Sequence, residues 1–317
     1  MKSFIRKTIG LLLIATALTV AWIRAPDRPV DTLIARWAVP PSEFVEVKGQ
    51  IVHLRDEGPR EDAVPILLVH GTSASLHTWE GWVKALKPQR RVISFDQPGF
   101  GLTGPFSGQY PPDDYRGDSL ARFVIDLMDH LKLNTVVIGG NSLGGEVAWR
   151  TALLAPQRVE RLILVDASGT AFKPQEIPPG FLAARTPVIN RVGEHLLPRP
   201  LVSATLHSVY ADDSRVSEQL VDRYYELTLR EGNRRALGQR LAALEADLNP
   251  ELINQIKQPT LILWGERDRL IPPVNAQEFG RRIAGSQVVI LPGLGHVPHE
   301  EDPAASVAPV KSFLGLR

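Results

Sequence analysis

Cysteine is missing from the chain altogether. A thiol nucleophile, a thiolate-held zinc and a disulfide are therefore excluded, and covalent chemistry falls to oxygen and nitrogen nucleophiles. An excess of charge is missing as well. The 36 Lys and Arg stand against 35 Asp and Glu, a net charge of +1, which offers nucleic acid no basic face. Internal repeats and low-complexity tracts are absent too. The 44% apolar and 22% charged residues fit neither a disordered chain nor a polytopic membrane protein. At 317 residues the length allows one large domain or two ordinary ones.

One long apolar run exists, at the N-terminus. Lys2, Arg6 and Lys7 precede it, it extends from Ile9 to Ile23, and Arg24, Asp27 and Arg28 close it. A basic flank followed by a hydrophobic segment marks residues 1–28 as an uncleaved signal-anchor or as a signal peptide cut near Thr19-Val20-Ala21. The basic side stays in the cytoplasm, so the body is expected on the extracytoplasmic side, membrane-anchored or exported after cleavage. Residues 29–42 then read as a linker, with one or two helical turns around Leu33 and Trp37.

From residue 43 the pattern changes to short β-branched runs separated by amphipathic stretches. Phe44–Val47 and Ile51–Leu54 flank Lys48-Gly49-Gln50 as a hairpin. Pro65–Val69, Arg91–Phe95, Thr135–Ile138, Leu162–Val165, Thr260–Trp264 and Val288–Leu291 are continuous apolar runs, as strands covered on both faces of a parallel sheet should be. Between two of them Leu120, Phe123, Val124, Leu127 and Leu131 recur at helical spacing. Alternating strands and helices predict an α/β doubly wound sheet built by right-handed crossovers. The alternation lapses only over residues 170–252, where helix-like stretches such as Val216–Leu229 and Arg234–Leu244 predict a helical cap. The core is then split into residues 43–169 and 253–317.

In a parallel sheet, functional groups collect beyond the carboxyl ends of the strands. Thr135–Ile138 leads into Gly140-Asn141-Ser142-Leu143-Gly144 and then a helix. A strand that turns at once into a helix exposes a strained nucleophile, and the glycines two residues to either side clear the space for it. The helix N-terminus also aims free N–H groups at a developing oxyanion. Pro65–Val69 leads into His70-Gly71-Thr72-Ser73, and the N–H of Thr72 pairs with that of Leu143 as the candidate oxyanion hole. His70 is read as shaping that loop. Thr260–Trp264 leads into Gly265-Glu266-Arg267-Asp268, and Asp268 is the candidate partner for a histidine, with Glu266 and Asp166 as rivals. Val288–Leu291 leads into Gly295-His296-Val297-Pro298-His299, with His296 as candidate general base. His296 and His299 do not make a metal pair, because Pro298 lies between them and no third ligand set is evident. Gly99-Phe100-Gly101-Leu102-Thr103-Gly104 matches a dinucleotide fingerprint, but the prolines after it (Pro105, Pro111, Pro112) forbid the helix such a site requires. No cofactor and no metal are expected.

Together, Val69-His70-Gly71-Thr72, Phe95-Asp96-Gln97-Pro98-Gly99-Phe100-Gly101, Gly140–Gly145, Leu263–Asp268 and Gly295–Pro303 resemble the α/β-hydrolase superfamily, in particular its capped branch of serine esterases and meta-cleavage-product hydrolases. The resemblance covers almost everything beyond the N-terminal segment. It implies a mostly parallel eight-stranded sheet, a helical cap after the sixth strand and no cofactor. It also implies Ser142 as nucleophile, Asp268 as acid and His296 as base. Ser142 stands where dehalogenases and epoxide hydrolases of this fold carry aspartate. The loop His70–Ser73 has fewer glycines than the C–C hydrolases typically show, and an N-terminal membrane segment is unusual for those enzymes. The expected reaction is therefore hydrolysis of a small-molecule, hydrophobic carboxylic ester through an acyl-enzyme. A C–C bond hydrolase using Arg230, Arg234 or Arg235 for a substrate carboxylate is one alternative, and a non-catalytic binding protein on the same scaffold is another.

Overall fold

The computed structural model describes residues 2–186, 195–246 and 248–316. Part of the expected cap, residues 187–194 and 247, lies outside them.

The apolar runs form one sheet of eight strands: β1 Ser42–Val47, β2 Gln50–Glu57, β3 Ile66–Val69, β4 Val92–Phe95, β5 Val136–Asn141, β6 Val159–Val165, β7 Thr260–Gly265 and β8 Gln287–Leu291. Their order is β1-β2-β4-β3-β5-β6-β7-β8. The hairpin β1–β2 and the pair β2–β4 are antiparallel, and every pair from β4 to β8 is parallel. This is the α/β-hydrolase arrangement.

Strand geometry sends alternate side chains to opposite faces. In β3, Leu67 and Val69 join a core with Phe123, Leu127 and Val147, under the helices Gly117–His130 and Leu143–Leu154. Ile66 and Leu68 join the core of the other face, with Trp79, Trp82, Val307 and Val310. Both faces of the central strands are therefore dry, which is why their sequences read as unbroken apolar runs. Each fully buried aliphatic side chain contributes about 1.5–3 kcal/mol to holding the layers together. The strand β8 lies at the edge and keeps Gln287, Val288 and Ile290 exposed.

Between β6 and β7 the described residues contain no strand. They carry the helices Pro179–Arg185, Arg199–Val209, Glu218–Thr228 and Asn233–Ala246. A buried ion cluster joins this insertion to the core. Arg240, 1% exposed, donates to Glu146 at 2.8 Å, and Arg150 donates to the same carboxylate at 2.9 Å. Glu146 lies in the helix that follows β5, so the cluster fixes the insertion above the carboxyl end of the sheet. Removing Glu146 would take from Arg240 and Arg150, both buried, the carboxylate they share, typically a loss of about 3–5 kcal/mol.

The N-terminal run forms the helix Lys2–Ile23. Among the described residues no helix is long and apolar enough to cross a membrane. The end of this helix and the residues that follow it are hydrogen-bonded to the insertion. Ala25 N–H donates to His195 O at 3.0 Å, Leu197 N–H to Ile23 O at 3.1 Å and Arg28 N–H to Leu229 O at 2.6 Å. Asp27 also pairs with Arg234. The stretch Ile23–Arg28 is a strap bound along the insertion, and Leu33 and Trp37 beyond it are buried. Backbone groups made this contact, so side-chain patterning carried no trace of it.

Candidate active site

The turn after β5 is built as its glycines require. Ser142 has φ +55 and ψ −121, a conformation that an L-residue holds only under strain. A Cβ on Gly140 would strike the carbonyl of Gly144, and one on Gly144 would strike the carbonyls of Val69 and His70. Only glycine lets the helix Leu143–Leu154 start this close to β3. Leu143 is its first residue, so its N–H has no acceptor within the helix.

Asp268 and His296 are brought together. His296 Nδ1 and Asp268 Oδ2 are 2.7 Å apart, and both residues are buried. The other carboxylate oxygen of Asp268 accepts the N–H groups of Leu270 and Ile271 at 2.8 and 2.9 Å. That leaves Nε2 of His296 for a proton to be taken or given. Ser142, His296 and Thr72 all line one cavity of about 350 Å³. The rival Glu266 is exposed and bonded to Gly293 N–H at 2.9 Å, away from the histidine. The other rival, Asp166, is buried beside the pair, within 4.8 Å of both.

His70 has both ring nitrogens engaged. Nε2 accepts Gln97 N–H at 3.0 Å, so Nδ1 carries the hydrogen and donates to Gly71 O at 2.8 Å. Burial holds its pKa below the usual range. The ring therefore braces the Thr72 loop as an uncharged strut. His299 packs on Trp79 with ring centroids 4.1 Å apart, and its Nε2 meets Thr78 Oγ1 at 3.0 Å. It does not join His296 as a ligand. The one metal-like grouping among the described residues is Asp166, Asp268 and His296. Its donor set fits a metal poorly, because Asp268 already accepts two backbone N–H groups and the imidazole. The segment Gly99–Gly104 curls round Asp96, which accepts Leu102 N–H at 2.8 Å, and opens no helix.

Two positioning residues escaped the sequence reading. Asn141 Nδ2 donates to His296 O at 3.0 Å and to Val165 O at 3.1 Å, tying the histidine loop to the sheet. Glu301, 4% exposed, accepts Gly295 N–H at 2.7 Å and the N–H groups of Ala211 and Asp212 at 3.0 and 2.9 Å. Burial raises its pKa against the pull of those three donors. Asn141 sat inside a recognised motif, but a glutamate five residues beyond a histidine carries no sequence signal of its own.

The cavity wall is apolar. Phe181, Leu196, Leu197 and Val209 of the insertion line it, whereas Leu182 is exposed and Tyr210 faces a second, polar cavity. Ile23 of the strap lines it too. Arg234 is the cation among its lining residues, and it is bonded to Asp27. Arg230 and Arg235 do not line it. Arg230 donates to Thr103 O, and Arg235 pairs with Asp113.

A family model of the alpha/beta hydrolase fold matches residues 64–303, the span that holds strands β3 to β8, the serine turn and the histidine loop. The chain belongs to the α/β-hydrolase fold family. It is 30% identical over 269 residues, 83% of its length, to the dihydrolipoyllysine-residue acetyltransferase component of the acetoin cleaving system of Pseudomonas putida, and covers 66% of that protein. To 2-hydroxy-6-oxo-2,4-heptadienoate hydrolase of Pseudomonas putida it is 29% identical, with 79% of this chain and 88% of that one covered. Among solved structures, the meta-cleavage product hydrolase of Pseudomonas fluorescens superposes with a TM-score of 0.73 at 26% identity, covering 86% of this chain and 97% of that one. The protein is a hydrolase by family and by relatives.

Proposed function

We propose that the protein is a serine hydrolase that cleaves a hydrophobic carboxylic ester through an acyl-enzyme, with Ser142 as nucleophile, His296 as base and Asp268 as its acid. The observation that carries the reading is the 2.7 Å contact of His296 with Asp268 beside a cavity that also exposes the strained Ser142. His296 takes the proton of Ser142 as its oxygen attacks the carbonyl, and Asp268 fixes the tautomer and stabilises the imidazolium. The N–H groups of Thr72 and Leu143 hold the oxyanion, each worth about 3 kcal/mol. His296 then protonates the leaving alcohol and activates the water that releases the acid.

The apolar wall favours an ester with a hydrophobic acyl or alcohol part over a charged substrate. A C–C bond hydrolase is the second reading. It draws on the names of the relatives and on Arg234, the cation that lines the cavity. Its weakness is that Asp27 already engages that guanidinium. Location belongs to the same proposal. The N-terminal segment, basic at Arg6 and Lys7 with Phe4, Ile9 and Leu11–Ile14 exposed, holds the protein at a membrane or directs its export. The catalytic body then works outside the cytoplasm.

The test assays the full chain with p-nitrophenyl esters of increasing acyl length beside a meta-cleavage dienoate, with Ser142→Ala as control. Ester turnover that vanishes in the variant supports the esterase. Turnover of the dienoate alone selects the second reading. Ligand binding without turnover of either would point to a non-catalytic scaffold.

A further inference from the structure

Asp166, at the end of β6, is left unused by the mechanism above. Its side chain is fully buried, and its backbone holds φ +46, where a non-glycine residue is strained. Oδ1 accepts Gly265 N–H at 2.9 Å, but Oδ2 is buried with no hydrogen-bond partner. One oxygen of Asp166, one of Asp268 and a ring nitrogen of His296 lie within 4.8 Å of one another.

Two carboxylates this close in a dry site cannot both stay ionised. The donors decide which one keeps the charge. Asp268 has Leu270 N–H, Ile271 N–H and His296, whereas Asp166 has Gly265 N–H. The negative charge therefore settles on Asp268. Burial, reinforced by the charge of Asp268 and then of Glu301, moves the Asp166 carboxyl well above the usual range. A proton on Oδ2 would also give that orphaned oxygen a partner, since it can be donated across to Asp268.

We propose that Asp166 is a positioning acid of the site: it stays protonated, hydrogen-bonds to Asp268, and becomes the carboxylate partner of His296 when Asp268 is removed. The proposal rests on the triad reading of the preceding subsection, and its test separates the two.

The first measurement needs no substrate. Infrared spectra of the resting Ser142→Ala protein at neutral pH should contain the C=O stretch of a protonated, buried carboxyl that shifts on 13C-aspartate labelling, which sets aside any signal from Glu301. The band should be missing from the Asp166→Asn form. Absence of any protonated aspartate overturns the proposal, whatever the protein hydrolyses.

The second measurement is a mutant cycle on the ester that the wild type turns over, or on the rate at which a fluorophosphonate labels Ser142. Asp166→Asn should lower kcat by about threefold or less while Asp268 is present, because the amide keeps the donor. In an Asp268→Ala background the same change should cost about thirtyfold or more, since it then removes the carboxylate that has taken over as partner of His296. Equal factors in the two backgrounds would mean a merely structural residue and would sink the idea. Loss of all fluorophosphonate labelling in the wild type would instead count against the serine-hydrolase reading and leave the infrared result standing.

Discussion

The backbone N–H of His296 is held by the carbonyl of Val209 at 2.8 Å, so the candidate base hangs partly from the insertion rather than from the sheet alone. The opposite wall of that joint is Glu301, whose carboxylate gathers one N–H from the histidine loop and two from the insertion. These bonds join the insertion and the histidine loop at one place.

Glu301→Gln tests that joint. Glutamine offers one acceptor oxygen and turns an N–H group toward a backbone donor, leaving a buried donor unmet at about 1–3 kcal/mol. The variant should melt several degrees lower and lose about tenfold in kcat, with a smaller change in KM. Unchanged kcat with a lowered melting temperature would show that the joint stabilises the fold without positioning the base.

The sequence announced the sheet because its central strands are covered on both faces. Runs such as Ile66–Val69 and Leu261–Leu263 had to be continuous and apolar. The candidates Ser142, Asp268 and His296 were picked out for a related reason: they stand in the turn or loop after β5, β7 and β8, with glycines beside them. The strap Ile23–Arg28 was not legible, because its contacts are mainly backbone hydrogen bonds to residues remote in sequence. The state of Asp166 was also hidden. As a letter it resembled any carboxylate, and only its burial beside Asp268 distinguishes it.

The cavity predicts a size limit on the substrate. Val202 and Leu206 line it from one helix of the insertion, and Val202 is only partly buried. Val202→Trp should fill space that long acyl chains need. Turnover of p-nitrophenyl esters should then peak at a shorter chain, each excluded methylene costing about 1 kcal/mol in kcat/KM, while the shortest esters react as before. A uniform loss across all lengths would mean that the acyl group binds elsewhere.

Stability should carry an acid limb from the loop between β2 and β3. Burial alone would raise the Asp62 carboxyl, but Arg90 Nε at 2.8 Å, with the N–H groups of Arg91 and Val64, holds it below its usual range. A depressed carboxyl stabilises the fold fully above its unfolded pKa of about 4, and the contribution fades as pH falls through the lower folded value. Asp62→Asn should therefore unfold more easily than the wild type at neutral pH by about 1–3 kcal/mol. The gap should narrow below about pH 4. A gap that is constant with pH would remove the charge of Asp62 from the account.

The strap makes the choice of starting residue decisive for any shortened form. A chain beginning at residue 23 keeps the hydrogen bonds of Ile23, Ala25 and Arg28 to the insertion, and keeps Asp27 on Arg234. A chain beginning at residue 29 loses them all. It also opens the cavity wall at Ile23 and strips a carboxylate from Arg234, which is 6% exposed. The longer form should melt like the full protein. The shorter one should melt several degrees lower and lose activity most on long acyl chains, because the missing wall is apolar. If the two forms melt together and share one chain-length profile, the strap is a passive tether and the cavity is complete without it.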